Sequence, residues 1–308
     1  MDTVTADAEL TWTPRLATDV RLTLSRLRRG PADPTHQVAA DGSLWRTTLT
    51  DGEPTTTRLT QRGLHEIRCE AYGPGAARAV AAAPTLLGAD DDDADFEPGH
   101  QVLADAHRHF PGLRIPKTLS VFEALVPAIL EQRVISIQAM ASWRWLVKAY
   151  GTTAPGPTPV PMKVVPSARE WSLIPSWDWH RAGVDPTRSR TVVTAARVAD
   201  SLERATTLTT DAAQIRLRAV PGVGPWTAAE TAQRAFGDAD ALSVGDYHLA
   251  GYIGHALFGK SFTDDDMVEA LEPWRGHRYR VVRLLEAAGV PGAPRRAPRM
   301  AFVDHRWH

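Results

Sequence analysis

The segment Leu217-Arg218-Ala219-Val220-Pro221-Gly222-Val223-Gly224-Pro225-Trp226-Thr227-Ala228-Ala229 constrains this chain more than any other. A helix that ends near Val220 meets two glycines, which let the backbone reverse sharply and approach another surface closely. Pro225 suits the first turn of a second helix, where its missing N–H would have no partner anyway. Leu217, Val220 and Val223 are the apolar anchors of such a turn. The expected unit is a helix, a hairpin and a helix over about 211–236. The free N–H groups of the second helix then point outward with the positive end of the helix dipole behind them. That end suits an anion, and a DNA phosphate fits it without any reading of base sequence. The same residues would also serve as a plain glycine-rich turn between two helices.

The 308 residues are 43% hydrophobic and 23% charged, an ordinary globular composition that allows one large domain or two to three smaller ones. There is no apolar run near 18 residues, so neither a transmembrane helix nor a membrane partner is expected. The acidic N-terminus lacks the basic-then-apolar pattern of a signal peptide. A lone cysteine, Cys69, excludes an internal disulfide and a four-cysteine zinc or iron–sulfur site. A cytoplasmic protein is expected, nucleoid-associated when bound to DNA. Net charge is −1, which alone argues against nucleic acid, but its distribution is uneven. Residues 1–100 hold 10 basic against 16 acidic side chains, and the rest hold 25 against 20. The acids gather in Asp90–Glu97 and the bases late, at Arg275, Arg278, Arg280, Arg283, Arg295, Arg296 and Arg299. The late bases either form a phosphate-holding face or are solvated surface.

Residues 1–100 predict a small antiparallel sheet with one helix. Val20–Leu27 alternates like a strand, and Leu44–Leu49 and Thr55–Leu59 flank the hairpin dipeptide Asp51-Gly52. Leu64–Tyr72 is a further strand, and alanine-rich 75–87 a helix. The Asp90–Glu97 run before Pro98-Gly99 predicts a linker or surface loop. From about Gln101 to 290 the spacing turns helical. Ser120 is placed to cap a helix through Phe122, Leu125, Val126, Ile129, Leu130, Val134, Ile137 and Met140 towards Tyr150. Proline-rich 152–166 is expected to be irregular. Further helices are expected at 168–173, 190–206, 211–219 (capped by Asp211), 226–236, 246–258 and 264–288. Residues 291–308 predict an extended tail.

Asp246 lies 22 residues after Gly224, in Leu242-Ser243-Val244-Gly245-Asp246-Tyr247-His248-Leu249-Ala250. On local sequence it is first a helix N-cap. The same place also suits chemistry. A helix terminus stabilises a carboxylate, and an ionised carboxylate can stabilise positive charge on a deoxyribose C1′ as a base departs, or orient the attacking water. The two roles are compatible.

Hairpin and aspartate at this separation resemble the helix-hairpin-helix DNA glycosylase superfamily, and within it the bacterial 3-methyladenine DNA glycosylase II, alkylation-repair branch. The likeness extends to Phe110-Pro111-Gly112-Leu113-Arg114-Ile115-Pro116, Phe122-Glu123, Ala128-Ile129-Leu130-Glu131-Gln132-Arg133-Val134, Gly245-Asp246-Tyr247 and Glu272-Pro273-Trp274-Arg275. It covers about residues 105–288. It implies a mainly α fold, with a helical glycosylase core behind an N-terminal antiparallel sheet-plus-helix subdomain. The implied activity is excision of a damaged, alkylated purine from double-stranded DNA by a monomer with no obligate protein partner. Asp246 would be the catalytic carboxylate. Trp226 and Tyr247 would line the base pocket, an aromatic face stacking on a flipped cationic base. Pro221, Gly222, Val223, Gly224, Thr227, Gln132 and Arg133 would contact DNA. Backbone carbonyls of Arg218, Val220 and Val223 would hold a structural Na+ or K+, and no other cofactor is implied. Members that also cut the backbone carry a lysine two residues after the last hairpin glycine. Here that position is Trp226, which implies hydrolysis without lyase activity.

The chain departs from the branch in three places. Glu230 stands four residues after Trp226, where the pocket has a second aromatic. Arg283 falls, by ungapped count, on a later pocket tryptophan. An acid and a base at these places would either pair with each other or hydrogen-bond a particular base. Arg133 replaces the apolar wedge that fills the gap left by the flipped base. These departures resemble an actinobacterial-type subgroup. They also leave open a non-catalytic or altered-specificity damage-binding protein built on the same hairpin.

Overall fold

The computed structural model describes residues 5–292. The tail expected at 291–308 therefore lies almost wholly outside the described residues. The first elements are β1 (Ala8–Trp12), α1 (Val20–Leu24) with a 3-10 turn at Ser25–Leu27, β2 (His36–Val38), β3 (Leu44–Thr50), β4 (Glu53–Arg62), β5 (Glu66–Tyr72) and α2 (Ala76–Leu86). The sheet is antiparallel throughout, in the order β1-β5-β4-β3-β2. β3 and β4 close on Thr50 opposite Glu53. Asp51 and Gly52 both take positive φ, 51° and 82°, as a two-residue hairpin requires. Ala76, Ala79, Val80 and Ala83 pack the small-residue face of α2 onto Leu44, Leu59, Ile67 and Cys69.

The strand expected at Val20–Leu27 is instead α1 and its 3-10 turn. The Asp19 side chain accepts from the Leu22 N–H at 2.8 Å and caps it. Burial then falls on Val20, Thr23 and Leu24, a helical spacing that the local alternation of apolar residues masks.

The helical part comprises α3 (Gln101–His109), α4 (Val121–Leu130), α5 (Ser136–Tyr150), a two-stranded ribbon of β6 (Thr152–Thr153) and β7 (Lys163–Val164), α6 (Ala168–Leu173), α7 (Ser176–Arg181), α8 (Pro186–Arg197), α9 (Ala199–Glu203), α10 (Thr210–Arg218), α11 (Pro225–Ala235), α12 (Leu249–Phe258), α13 (Asp264–Ala270) and α14 (Arg278–Ala287). Every residue of α4 except Glu123 is buried, so its apolar character all round marks a central helix. Around it gather Trp143, Leu146, Trp171, Trp179, Val192, Leu217 and Ala228, in one continuous cluster. A second cluster joins α3, α12, α13 and α14 through Leu103, Ile253, Met267, Leu271, Leu284 and Leu285.

Several expected boundaries move for identifiable reasons. Ser120 is the N-cap of α4 but makes no side-chain cap bond. The Glu203 carboxylate does that work from 81 and 82 residues away, accepting from Phe122 N–H at 2.8 Å and Val121 N–H at 2.9 Å. The helix expected to run from Ser120 towards Tyr150 breaks between α4 and α5, where Arg133 takes φ +55°. Ile137, expected in its apolar face, is 73% exposed. Thr209 rather than Asp211 caps α10. The helix expected over 264–288 divides at the 3-10 turn Glu272–Trp274 and at Gly276, φ +93°.

The acidic run is the surface loop that was one of its two expected readings, with Asp92, Asp95 and Glu97 exposed, but it is docked rather than free. Asp91 pairs with Arg280 at 2.6 Å, the side chains 4% and 1% exposed, and its Oδ2 also accepts from the Ile115 N–H. Asp93 pairs with buried Arg114, and Asp95 with His277. These contacts fasten the segment between sheet and helices onto α14 and the strand-like stretch before α4.

Candidate active site

The hairpin forms between α10 and α11. Val220 N–H donates to Leu217 O at 3.1 Å, and Val223 N–H to Val220 O at 3.0 Å. Leu217, Val220 and Val223 are buried in the central cluster, which fixes the hairpin on the core. The two glycines have different reasons. Gly222 has φ +90°, and a Cβ there would stand 2.2 Å from Thr191 Oγ1, so the fold itself demands glycine. Gly224 has φ −92°, and a Cβ there meets nothing within 4 Å. The fold makes no demand at Gly224. It opens α11 with Pro225 at the first turn and no side-chain cap, so the first-turn N–H groups stay available.

The α4–α5 turn is tied to this hairpin. Gln132 Nε2 donates to Gly222 O at 2.9 Å and to Thr227 Oγ1 at 2.8 Å. Thr227 is 2% exposed, so its hydroxyl supports Gln132 from inside rather than facing outward as a DNA contact. Gln132 itself braces the hairpin. Arg133, the next residue, is exposed and has no hydrogen bond or ion pair among the described residues. Its left-handed backbone, uncommon for a side chain of this size, turns it out beside the hairpin.

Asp246 sits in the turn before α12. Its Oδ1 accepts from the backbone N–H of His248 at 2.8 Å and of Leu249 at 3.0 Å. Its Oδ2 accepts from the Trp226 indole N–H at 3.1 Å. Asp246 is not the N-cap of α12: that position is His248, which has no side-chain cap bond, and Asp246 lies two residues before it. Three donors fix the carboxylate without using all its lone pairs. The helix begins at Leu249, three residues later than expected.

Asp246 lines a cavity of about 390 Å³, together with Arg26, Glu230, Gln233, Ser243, Tyr252, Tyr279 and Glu286 and several apolar side chains. The wall is thus assembled from the 3-10 turn after α1, from α11, from the turn before α12, from α12 itself and from α14. No lysine is among its lining residues. Trp226 stands beside the cavity on Asp246, and its half-buried ring is not part of the lining.

Glu230 and Arg283 are separated. Glu230 lines the cavity, its Oε2 2.9 Å from Arg234 Nη1 and its Oε1 accepting from Ser243. Burial pushes this carboxyl up, but Arg234, Arg26 and the Ser243 hydroxyl hold it below its ordinary value, so it is ionised at neutral pH. Arg283 is 3% exposed, lies outside the cavity lining and donates to Leu22 O and Ser25 Oγ, both at 3.0 Å, and to Glu286 at 3.1 Å. Of the two alternatives for these residues, the Glu230–Arg283 pair does not form. One residue along a helix is a rotation of 100°, so while Val282 faces the cavity Arg283 faces α1. Tyr247 is also corrected: it is 77% exposed, edge-on to His248, and absent from the lining.

Arg26, Tyr252, Tyr279 and Glu286 escaped the sequence reading. Tyr279, Val282 and Glu286 at steps of three and four on α14 were the available signal for one face. Nothing in the sequence ties Arg26 to them. Burial lowers the Arg26 guanidinium, and Tyr279, Glu286 and Glu230 outweigh it and hold it above its ordinary value. No cluster of three His, Cys, Asp or Glu side chains able to hold a metal occurs among the described residues. The carbonyls of Arg218, Val220 and Val223 accept between them one backbone hydrogen bond, that from Val223 N–H, which leaves oxygen lone pairs of the kind a hard monovalent cation takes.

No family model matches the chain. Over 143 residues, 45% of its length, it is 36% identical to the probable bifunctional transcriptional activator/DNA repair enzyme AlkA of Mycobacterium tuberculosis, of which the match spans 28%. Its structure is similar to the 3-methyladenine DNA glycosylase from Archaeoglobus fulgidus, with a TM-score of 0.75 at 17% identity, covering 91% of this chain and 98% of that one. It is also similar to the Clostridium acetobutylicum 8-oxoguanine glycosylase/lyase in its apo form, with a TM-score of 0.71 at 10% identity, covering 93% and 99%. The same glycosylase/lyase in complex with double-stranded DNA containing cytosine opposite 8-oxoG gives 0.69 at 11% identity, covering 93% and 98%. The fold is therefore that of the helix-hairpin-helix DNA glycosylases, a helical core behind an N-terminal antiparallel sheet, as the sequence motifs implied. No helix among the described residues is long and apolar enough to cross a membrane.

Proposed function

We propose that this chain is a monofunctional DNA glycosylase that flips a damaged purine out of double-stranded DNA and hydrolyses its N-glycosidic bond. The observation that carries this is the Asp246 carboxylate, fixed by three donors on the wall of a cavity whose size suits a small organic group. The bond from C1′ to the base nitrogen breaks and the base leaves with the electron pair: a cationic N-alkylated purine is thereby neutral, whereas a neutral damaged purine also takes up a proton. Asp246 faces the positive charge that grows on the sugar, and a water oxygen then bonds to C1′ and loses its proton. The product is an abasic site in an unbroken strand. The absence of a lysine from the cavity lining supports hydrolysis over a Schiff-base route.

The hairpin holds the DNA. Pro221, Gly222, Val223 and Gly224 present backbone to a phosphate at the start of α11, and Arg133 fills the space that the extruded base leaves. A monovalent cation on the carbonyls of Arg218, Val220 and Val223 would add positive charge beside that phosphate. The protein acts as a monomer. N-alkylated purines are the first substrates to test, because the similar Archaeoglobus fulgidus structure is named a 3-methyladenine DNA glycosylase.

Incubation with duplexes carrying single N-alkylpurines, followed by mass spectrometry of the small-molecule fraction, tests the reading. Free damaged base and alkali-labile DNA are expected; DNA binding without base release across a panel of lesions contradicts it. The hairpin glycines give a second expectation. Gly224→Ala should fold like the parent and bind duplex DNA roughly tenfold more weakly, the scale of a perturbed hydrogen bond to a charged group. Gly222→Ala should lose about 1–3 kcal/mol of stability, because its φ and Thr191 both oppose a side chain. Equal DNA affinity of Gly224→Ala and parent, measured by fluorescence anisotropy, would remove the hairpin from the interface.

A further inference from the structure

We infer that Arg29 is a positioning residue for base extrusion: its ion pair with Glu131 holds the α4–α5 turn so that the Arg133 side chain stands where the space left by a flipped base opens. The inference rests on the glycosylase reading, which gives Arg133 that task, and adds the residue that aims it. Arg133 takes φ +55° and is exposed. A non-glycine residue keeps a left-handed backbone only where its surroundings over-determine it. The hairpin supplies one side of that restraint, through Gln132 to Gly222 O and Thr227 Oγ1.

The other side comes from the segment between the 3-10 turn and β2. Arg29 Nη1 donates to Glu131 Oε1 at 2.9 Å, and the two side chains are 8% and 20% exposed. The backbone N–H of Arg29 donates to Asp33 Oδ2 at 2.6 Å, and Asp33 is wholly buried. Asp33 Oδ1 accepts from the Trp143 indole N–H of α5 at 3.1 Å. Gly30 lies so close to α5 that a Cβ there would stand 2.9 Å from Met140 Sδ. One short segment thus grips the end of α4 through Glu131, and α5 through Met140 and Trp143. Arg133 lies on the chain between these grips. Apolar side chains of equal volume would pack this place as well; what an ion pair adds is direction. The turn is held while the Arg133 side chain is left free to enter DNA, where an inserted side chain takes the place of the extruded base.

The test is equilibrium binding, read by fluorescence anisotropy, to two duplexes of one sequence. One is intact, and the other carries at its centre a tetrahydrofuran abasic analogue, which offers the gap without a base to extrude or release. Wild type should bind the tetrahydrofuran duplex roughly tenfold more tightly, and Arg133→Ala should lose most of that preference. Arg29→Met should lose roughly threefold to tenfold of it, with intact-duplex affinity within about twofold because the hairpin contact is untouched. In the Arg133→Ala background, adding Arg29→Met should change the preference no further. A purely structural role would instead weaken both duplexes alike. Thermal unfolding checks each variant, and Glu131→Gln, which keeps the shape of its side chain, carries the test if Arg29→Met does not fold. The inference is overturned by a wild type without the preference, by a folded Arg29→Met that keeps it or weakens both duplexes equally, or by additive losses in the double variant. If wild type meanwhile releases damaged bases, the inference alone has failed. If it binds neither duplex and releases no base from a lesion panel, the glycosylase reading fails with it.

Discussion

Asp246→Asn should reduce base release by about 10²–10⁴-fold, the range for loss of a positioned acid–base or electrostatic group, while duplex binding stays within about twofold because the hairpin phosphate contact is untouched. The substitution separates the charge of Asp246 from its hydrogen bonds to the turn. An asparagine oxygen can still accept from the His248 and Leu249 N–H groups, so the turn before α12 is retained. What it removes is the negative charge, and it turns an N–H towards the Trp226 indole N–H. Single-turnover base release and anisotropy on the same duplex read both effects. A loss of binding equal to the loss of release would make Asp246 a scaffold residue only.

Asp91→Ala should destabilise the protein by about 3–5 kcal/mol, the cost of leaving one partner of a buried ion pair uncompensated. Arg280 is 1% exposed, and its remaining bonds, to His277 Nδ1 and Asp92 O, do not neutralise it. Asp91 also takes the Ile115 N–H, which loses its acceptor. The double substitution Asp91→Leu with Arg280→Met should recover most of the loss, since similar-volume apolar replacement of a buried pair is often neutral. Glu66→Ala is the contrast. Its partner Arg62 lies 4.0 Å away and both side chains are exposed, so the change should stay within about 0.5 kcal/mol. Urea unfolding of all three reads the comparison, and equal shifts for Asp91→Ala and Glu66→Ala would show that the acidic run is not docked.

How much was legible in the sequence depends on how locally each feature is determined. The hairpin and the Asp51-Gly52 turn are fixed by glycines and prolines acting within a few residues, and both lie where the pattern places them. Asp246 was singled out by its distance from the hairpin, and the cap expected of it fails because α12 starts at Leu249, behind His248. Val20–Leu27 was misread because three alternating apolar residues fit a strand as well as a single helical turn, and Asp19 decides for the helix. The acidic run is a loop as expected, but its docking was not legible because its partners, Arg114, His277 and Arg280, lie elsewhere in the chain. The cavity wall failed for the same reason. Glu230 faces it, Arg283 turns away towards α1, and Arg26 arrives from the 3-10 turn after α1. Counting from a motif finds the helix but not its facing side.

The central claim is that the Asp246 cavity excises a base by water attack and leaves the strand whole. Its most direct measurement is a single-turnover reaction on an end-labelled duplex with one damaged purine, divided among alkali, neutral buffer and borohydride. Strand cleavage at the lesion after alkali, an intact strand in neutral buffer and no borohydride-trapped protein–DNA adduct is the predicted result. Cleavage in neutral buffer with a trapped adduct, or no cleavage in any portion from DNA that the protein binds, would contradict it.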